Sequence, residues 1–297
     1  RKIFLTYYLY IYYKYLENME TVCLAAILKY EEPFLDEWIV YHRMLGIDHF
    51  YLYDDNPDFP LRDFLKPYKE FVTVVNWYKS SPDGKRENQF FAYRHALKNY
   101  CFSYDWVVYI DGDECITLRK HEDIKSFLKD YADYSAVSLD WHVFGHNGYF
   151  ENPESLITSS LTRRMYLPGR DVKTFSRPQA IETINSPHFF RYKNGHLHVD
   201  VNKRIFQEKK YPGRTDIANI NHYMCRSFKN WMNRVNRGDS LFITKDYPDI
   251  HKWRFSEDEC LKEFVGNIAL CCNEYLDDYM LKYKEEIESR VTKYRMM

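Results

Sequence analysis

The 297-residue sequence lacks several signatures, and each absence removes a class of protein. No CxxC occurs among its seven cysteines, the number is odd, and Cys271 and Cys272 are adjacent, which excludes a disulfide framework and a thiolate zinc site. Cys23, Cys101, Cys115, Cys225, Cys260, Cys271 and Cys272 read as reduced, small apolar packing residues. No N-x-[ST] sequon is present, which argues against a glycosylating lumen. The expected location is therefore cytoplasmic, either free or at the cytoplasmic face of a membrane. No apolar run reaches the ~18 residues of a clear bilayer span. The phosphate-binding patterns GxxxxGK[ST] and GxGxxG are missing, as is the G-x-S-x-G of a serine hydrolase. With 42 Lys+Arg against 43 Asp+Glu the formal charge is -1, which argues against a protein whose main task is gripping nucleic acid.

What is present is a folding chain: 45% hydrophobic and 29% charged residues exclude global disorder. The 28 Tyr and 20 Phe reflect either AT-rich codons or stacking surfaces for rings. Behind Arg1-Lys2, Ile3 to Tyr15 is apolar and aromatic. It reads as a terminal helix packed on the domain, an interfacial helix with peripheral membrane contact, or the remnant of an anchor.

Val22–Leu28 is a continuous apolar run of strand length, as expected of a strand buried on both faces. Glu31-Glu32-Pro33 opens a helix whose stripe is Leu35, Trp38, Ile39 and Leu45, with Gly46 as its stop. Strands are expected at His49–Tyr53, Phe71–Trp77 and Trp106–Ile110, and a helix over Arg86–Tyr100. This alternation predicts an α/β fold whose parallel sheet binds ligands at the carboxyl ends of its strands. Further expectations are a helix over His121–Tyr134, a strand over Ser135–Asp140, and loops with short strands from Trp141 to about Asn219. Ser227–Val235 reads as helical. Ser256 and Glu259 form a capping-box pattern that opens a long amphipathic helix with a solvated charged tail through Lys284 to Glu286. Residues 1–20 thus form an N-terminal segment, 21–255 one domain with halves at 21–140 and 141–255, and 256–297 a helical extension.

The residues just after each strand carry the chemistry. Asp111-Gly112-Asp113-Glu114 follows an apolar strand, and two carboxylates two residues apart can converge on Mg²⁺ or Mn²⁺, the glycine permitting a tight backbone. A solvated acidic turn is the alternative. Asp54-Asp55 could meet a base or ribose, or build an Asx turn before Pro57. His222, followed by Arg226, Arg234 and Arg237, could complete a metal site while the arginines meet phosphates; a structural histidine is the competing reading.

In order, these segments resemble glycosyltransferase family 92 and the related bacterial family-2-like transferases. The likeness runs from KYEEPFLDEWIVYHRMLGIDHFYLYDDN at 29–56 through Gln89 with Tyr93 and WVVYIDGDE at 106–114. It continues through Trp141 with Phe144-Gly145, VKTFSRP at 172–178 and His188-Phe189-Phe190 to INHYMCRS at 220–227 with Arg237-Gly238. It implies a GT-A-like (Rossmann-like) α/β fold with a mostly parallel central sheet flanked by helices and an α+β acceptor-side half. The implied activity is a metal-dependent, inverting hexosyl transfer from a UDP-sugar, UDP-galactose at family level, to a glycan or glycolipid hydroxyl. By position, Asp111, Asp113 and His222 would hold Mn²⁺ or Mg²⁺. Lys29, Glu31, Asp54, Asp55, Gln89, Lys173, Arg226 and Arg237 would lie at the nucleotide sugar. Asp140, Glu151 and Glu182 are the candidate bases, and Trp141 either stacks on the acceptor or belongs to the core. Tyr30 stands where Asn is usual, Gly112 where Ile is common and Cys115 where Phe is common. A metal-dependent nucleotidyltransferase and a non-catalytic carbohydrate-binding protein are the competing classes.

Overall fold

The computed structural model describes residues 20–78, 88–208, 215–237 and 272–297. The expected N-terminal helix and the helix expected to open at Ser256 lie outside them. The described chain builds one nine-stranded sheet. Its strands are β1 (Val22–Leu28), β2 (His49–Asp54), β3 (Val72–Asn76), β4 (Trp106–Tyr109), β5 (Glu114–Leu118), β6 (Ala136–Val143), β7 (Val172–Ser176), β8 (His198–Asp200) and β9 (Ala218–His222). They run in the order β3-β2-β1-β4-β7-β6-β9-β5, and β8 also pairs with β6. The pairings among β1, β2, β3 and β4, and those of β6 with β8 and β9, are parallel. β7 is antiparallel to both β4 and β6, and β5 is antiparallel to β9. This is an α/β fold with a mostly parallel central sheet, as expected from the sequence.

Every residue of β1 is buried, as its unbroken apolar run requires of a strand covered on both faces. Alternation sends Val22, Leu24 and Ala26 to one side and Cys23, Ala25 and Ile27 to the other. The first side packs against α1 (Glu32–Met44) and the second against α2 (Asn88–Asn99). α1 starts with Pro33 in its first turn and stops before Gly46, whose φ of +104° an L side chain rarely adopts.

The helix expected over His121–Tyr134 is shorter, α3 (Ile124–Lys129). Asp123 accepts the N–H of Ser126 at 2.7 Å in a capping box, which sets the start of α3 downstream of His121. Helix α4 (Phe228–Arg237) falls where sequence places it. Glu285 and Glu286 of the charged tail are solvated as expected, but the helix that carries them is docked. Helix α5 (Lys284–Arg295) buries Ile287 in the core beside α1, and Arg295 pairs with Asp36 of α1 at 2.6 Å. Among the described residues no helix is long and apolar enough to cross a membrane.

The chain order leaves β1 toward β2 and β3 on one side, then returns to β4 on the other. Ligands of open α/β sheets bind at such a reversal, in the crevice outside the carboxyl ends of the strands, here β1 and β4. Lys29-Tyr30-Glu31 and Asp111-Gly112-Asp113 follow those two ends.

Candidate active site

The two strand ends are in direct contact. A Cβ on Gly112 would come within 2.9 Å of Leu28 Cδ2 and 3.2 Å of Glu31 Cγ, so the tight turn that sequence assigns to this glycine is a packing requirement. Arg226 braces the same turn from below. It ion-pairs with Glu31 at 2.7 Å, donates to the Gly112 carbonyl at 2.9 Å and lies 3.8 Å over the Phe34 ring. Its φ of +52° is strained for a non-glycine residue, and it is 3% exposed. Glu31 and Arg226, expected at the nucleotide, thus hold each other and the aspartate turn.

Asp111 sits in a fixed cradle. Gln89 Nε2 donates to its Oδ1 at 2.9 Å and Lys173 Nζ to its Oδ2 at 2.8 Å, while Tyr93 OH reaches Oδ1 at 3.4 Å. Lys173 is fully buried and also lies 3.3 Å from Glu114 Oε2. Burial disfavours charge on all three. The lysine's charge nevertheless holds the Asp111 carboxyl below its usual range, and the two carboxylates keep the lysine protonated. Glu114 has no exposure, and burial outweighs Lys173 to push it up to about 7. Its Oε2 accepts the Asp111 N–H at 2.8 Å. Sequence reasoning did not assign Glu114 a role. Its place in the acidic run was visible, but its burial follows from the register of β5 against β9.

That register sets His222 opposite Glu114. The imidazole is 4% exposed and neither ring nitrogen has a hydrogen bond; Nε2 lies 3.5 Å from Asp113 Oδ2. Trp141 stands over the ring with centroids 4.2 Å apart, and His188 meets Trp141 from another side at 5.2 Å. Among the described residues no three His, Cys, Asp or Glu side chains already enclose a metal-sized site. Asp113 and His222 are the pair that converge, while Asp111 is held by its cradle. An oxygen donor beside a buried imidazole with both nitrogens unsatisfied fits a divalent cation.

The other expected residues are distributed as follows. Lys29 lies 3.9 Å from buried Asp55 at the ends of β1 and β2. Asp54 builds the Asx turn, accepting from Asn56 N at 3.0 Å, Asn56 Nδ2 at 2.7 Å and Leu61 N at 2.9 Å. Arg237 closes α4; its side chain lies outside the described part. Asp140 is half-buried in β6, opposite Val172. Glu151 is exposed and pairs with Lys229 at 2.8 Å. Glu182 is exposed on a hairpin strand, Ile181–Thr183, beside Arg191. Neither glutamate is bonded to the Asp113–His222 pair.

The sequence matches the Glycosyltransferase family 92 profile over residues 19–256. The chain belongs to glycosyltransferase family 92. A glycosyltransferase family 92 protein of Ricinus communis is 25% identical over 284 residues, covering 86% of this chain and 48% of its own length. One from Oryza sativa subsp. japonica is 26% identical over 64% of this chain and 33% of its own length. The chain thus spans half or less of the length of these relatives. A galactan beta-1,4-galactosyltransferase of Arabidopsis thaliana is 32% identical over 110 residues, 35% of this chain and 21% of its own length. Among solved structures, glucosyl-3-phosphoglycerate synthase from Mycobacterium tuberculosis, in complex with Mn²⁺, UDP and glucosyl-3-phosphoglycerate, has a TM-score of 0.34 and 14% identity, covering 55% of this chain and 58% of that one.

Proposed function

We propose that this family 92 chain transfers a hexosyl group from a nucleoside-diphosphate sugar, UDP-galactose as the first donor to test, to a glycan or glycolipid hydroxyl. The observation that carries the reading is the buried His222 imidazole, unpartnered at both nitrogens, beside Asp113 at the sheet's reversal crevice. Asp113 and His222, with Asp111 beside them, would hold Mn²⁺ or Mg²⁺. Such a cation supplies charge neutralisation for a departing diphosphate.

The chain's own groups do the remaining work. Lys173 and Gln89 keep Asp111 ionised and aimed; Arg226 and Glu31 keep the Gly112 backbone from shifting. Lys29, at 23% side-chain exposure beside Asp55, would meet the nucleotide. In an inverting displacement the acceptor oxygen bonds to the anomeric carbon, the bond to the diphosphate oxygen breaks, and the hydroxyl proton passes to a carboxylate. Asp140 is the proposed base. Residues 21–140 would serve the donor and 141–255 the acceptor.

The test is donor hydrolysis with a panel of UDP- and GDP-sugars, with Mn²⁺ and after chelation. The reading expects slow, cation-dependent release of the nucleoside diphosphate from one donor, lost in Asp113→Asn. Release from no donor under either condition would overturn it. Nucleoside-triphosphate consumption with diphosphate release would mark nucleotidyl transfer instead.

A further inference from the structure

The far side of β9 carries a buried polar chain that the roles above leave unused. His222 projects from one face of that strand, and Asn219 and Asn221 project from the other. Neither asparagine has any exposure. A buried amide is costly unless its hydrogen bonds are made, and two apolar side chains would fill the same space without needing partners. Here the amides are links in a continuous series. Arg119 Nη2 donates to Asp277 Oδ2 at 2.6 Å and Arg119 Nε to Asn219 Oδ1 at 2.9 Å. Asn219 Nδ2 donates to Asn221 Oδ1 at 2.6 Å, and Asn221 Nδ2 to Tyr223 OH at 3.3 Å.

The series runs in one direction. A guanidinium only donates, so Arg119 draws the Asn219 oxygen toward itself and leaves the Asn219 amine facing Asn221. Asn221 repeats the arrangement toward Tyr223. Reversing either amide would set donor against donor. Buried dipoles aligned in this way hold one another in a single arrangement.

Both ends are fastened. Asp277 belongs to the segment after residue 271; its N–H donates to the Thr162 carbonyl at 2.7 Å, and its Oδ2 also accepts from Arg164 Nε at 2.8 Å. At the other end the Tyr223 N–H donates to the Asp113 carbonyl at 2.8 Å, and the Tyr223 ring lies against Phe144 with centroids 4.7 Å apart. The series therefore ends on the backbone of Asp113, and the strand it follows carries His222.

We infer that Asn219 and Asn221 are positioning residues for the cation site, tying the C-terminal segment at Asp277 to the backbone that presents Asp113 and His222. The inference rests on the cation reading above. Lying on the opposite face of β9 from His222, the amides act on the placement of the two ligands and not on the ion.

The experiment uses the full chain and measures Mn²⁺ binding by calorimetry, together with the thermal midpoint of the metal-free chain. Asn221→Leu should weaken Mn²⁺ binding about fivefold, the scale on which residues out of contact with a ligand modulate its affinity. It should also lower the midpoint, because the buried Tyr223 hydroxyl loses a donor. Adding Tyr223→Phe removes that hydroxyl, so the double variant should recover part of the midpoint while Mn²⁺ binding stays about fivefold weaker. Asn219→Leu should weaken Mn²⁺ binding to a similar degree. A double variant whose Mn²⁺ affinity returns together with its midpoint would overturn the inference, since the asparagines would then serve stability alone. Asn219→Leu and Asn221→Leu that bind Mn²⁺ as tightly as the parent would overturn it too, and would leave the cation reading intact. A parent chain that binds no Mn²⁺ overturns the cation reading and this inference with it.

Discussion

Lys173 Nζ lies 2.8 Å from Asp111 Oδ2, joining a fully buried ammonium to the first aspartate of the D-G-D turn across 62 positions of sequence. The same ammonium lies 3.3 Å from Glu114. Removing it leaves Glu114 buried beside Asp111 with no counter-charge. Lys173→Met is therefore expected to cost about 3 kcal/mol of stability, read as a lowered denaturation midpoint. The double variant Lys173→Met with Glu114→Gln should recover part of that loss. A single variant as stable as the parent would show that the ammonium does not hold the acidic turn.

Cation binding separates the aspartates. Asp113→Asn and His222→Ala should each weaken Mn²⁺ binding by at least about tenfold, measured by calorimetry or electron paramagnetic resonance. Gln89→Ala, which removes only one arm of the Asp111 cradle, should weaken it less. Unchanged Mn²⁺ affinity in His222→Ala would remove the imidazole from the cation site.

Acid stability is governed in part by His42. Its Nδ1–H donates to the Trp38 carbonyl at 2.8 Å and its Nε2 accepts from Ile116 N–H at 3.2 Å, so a second ring proton would face a donor. Complete burial pushes its pKa down to about 3. Unfolding returns it to about 6.5. Between those values the unfolded chain binds a proton that the folded chain refuses, so this contribution is complete above the window and declines as pH falls through it. At pH 5 the loss is about 2 kcal/mol relative to neutral pH. Urea midpoints at pH 7 and pH 5 should draw together in His42→Gln by that amount. Equal acid losses in parent and variant would refute the assignment.

The segment after residue 271 closes the fold through Asp277. Its Oδ2 accepts from Arg119 Nη2 at 2.6 Å and Arg164 Nε at 2.8 Å, and buried His142 lies 3.7 Å away. Burial works against the carboxylate's charge, but the two guanidinium groups hold its pKa low. Asp277→Ala leaves those two cations facing each other and is expected to cost about 3 kcal/mol. A thermal midpoint unchanged from the parent would show that the C-terminal segment is not fastened there.

Local pattern determined much of this protein. The apolar and aromatic runs of β1, β2 and β4 are legible as strands from their length, their β-branched and aromatic content and the turn residues that follow them. Pro33 and Gly46 mark the limits of α1 by backbone geometry, and acidic residues directly after strands identify the crevice. The ordered segments were also sufficient to reach the family.

Tertiary structure alone decided the wiring. Val172–Ser176 lies in the half of weak periodicity, yet it forms a strand between β4 and β6 and so carries Lys173 to Asp111. The pairing of β5 with β9 buries Glu114 and isolates His222 beside Asp113. Arg226 and Glu31 read as ligand contacts in one dimension and brace the glycine turn in three. The reason is physical. Local periodicity records which face of an element is buried, whereas the charge that meets a given charge depends on strand order and register. Those are set by the packing of the whole sheet.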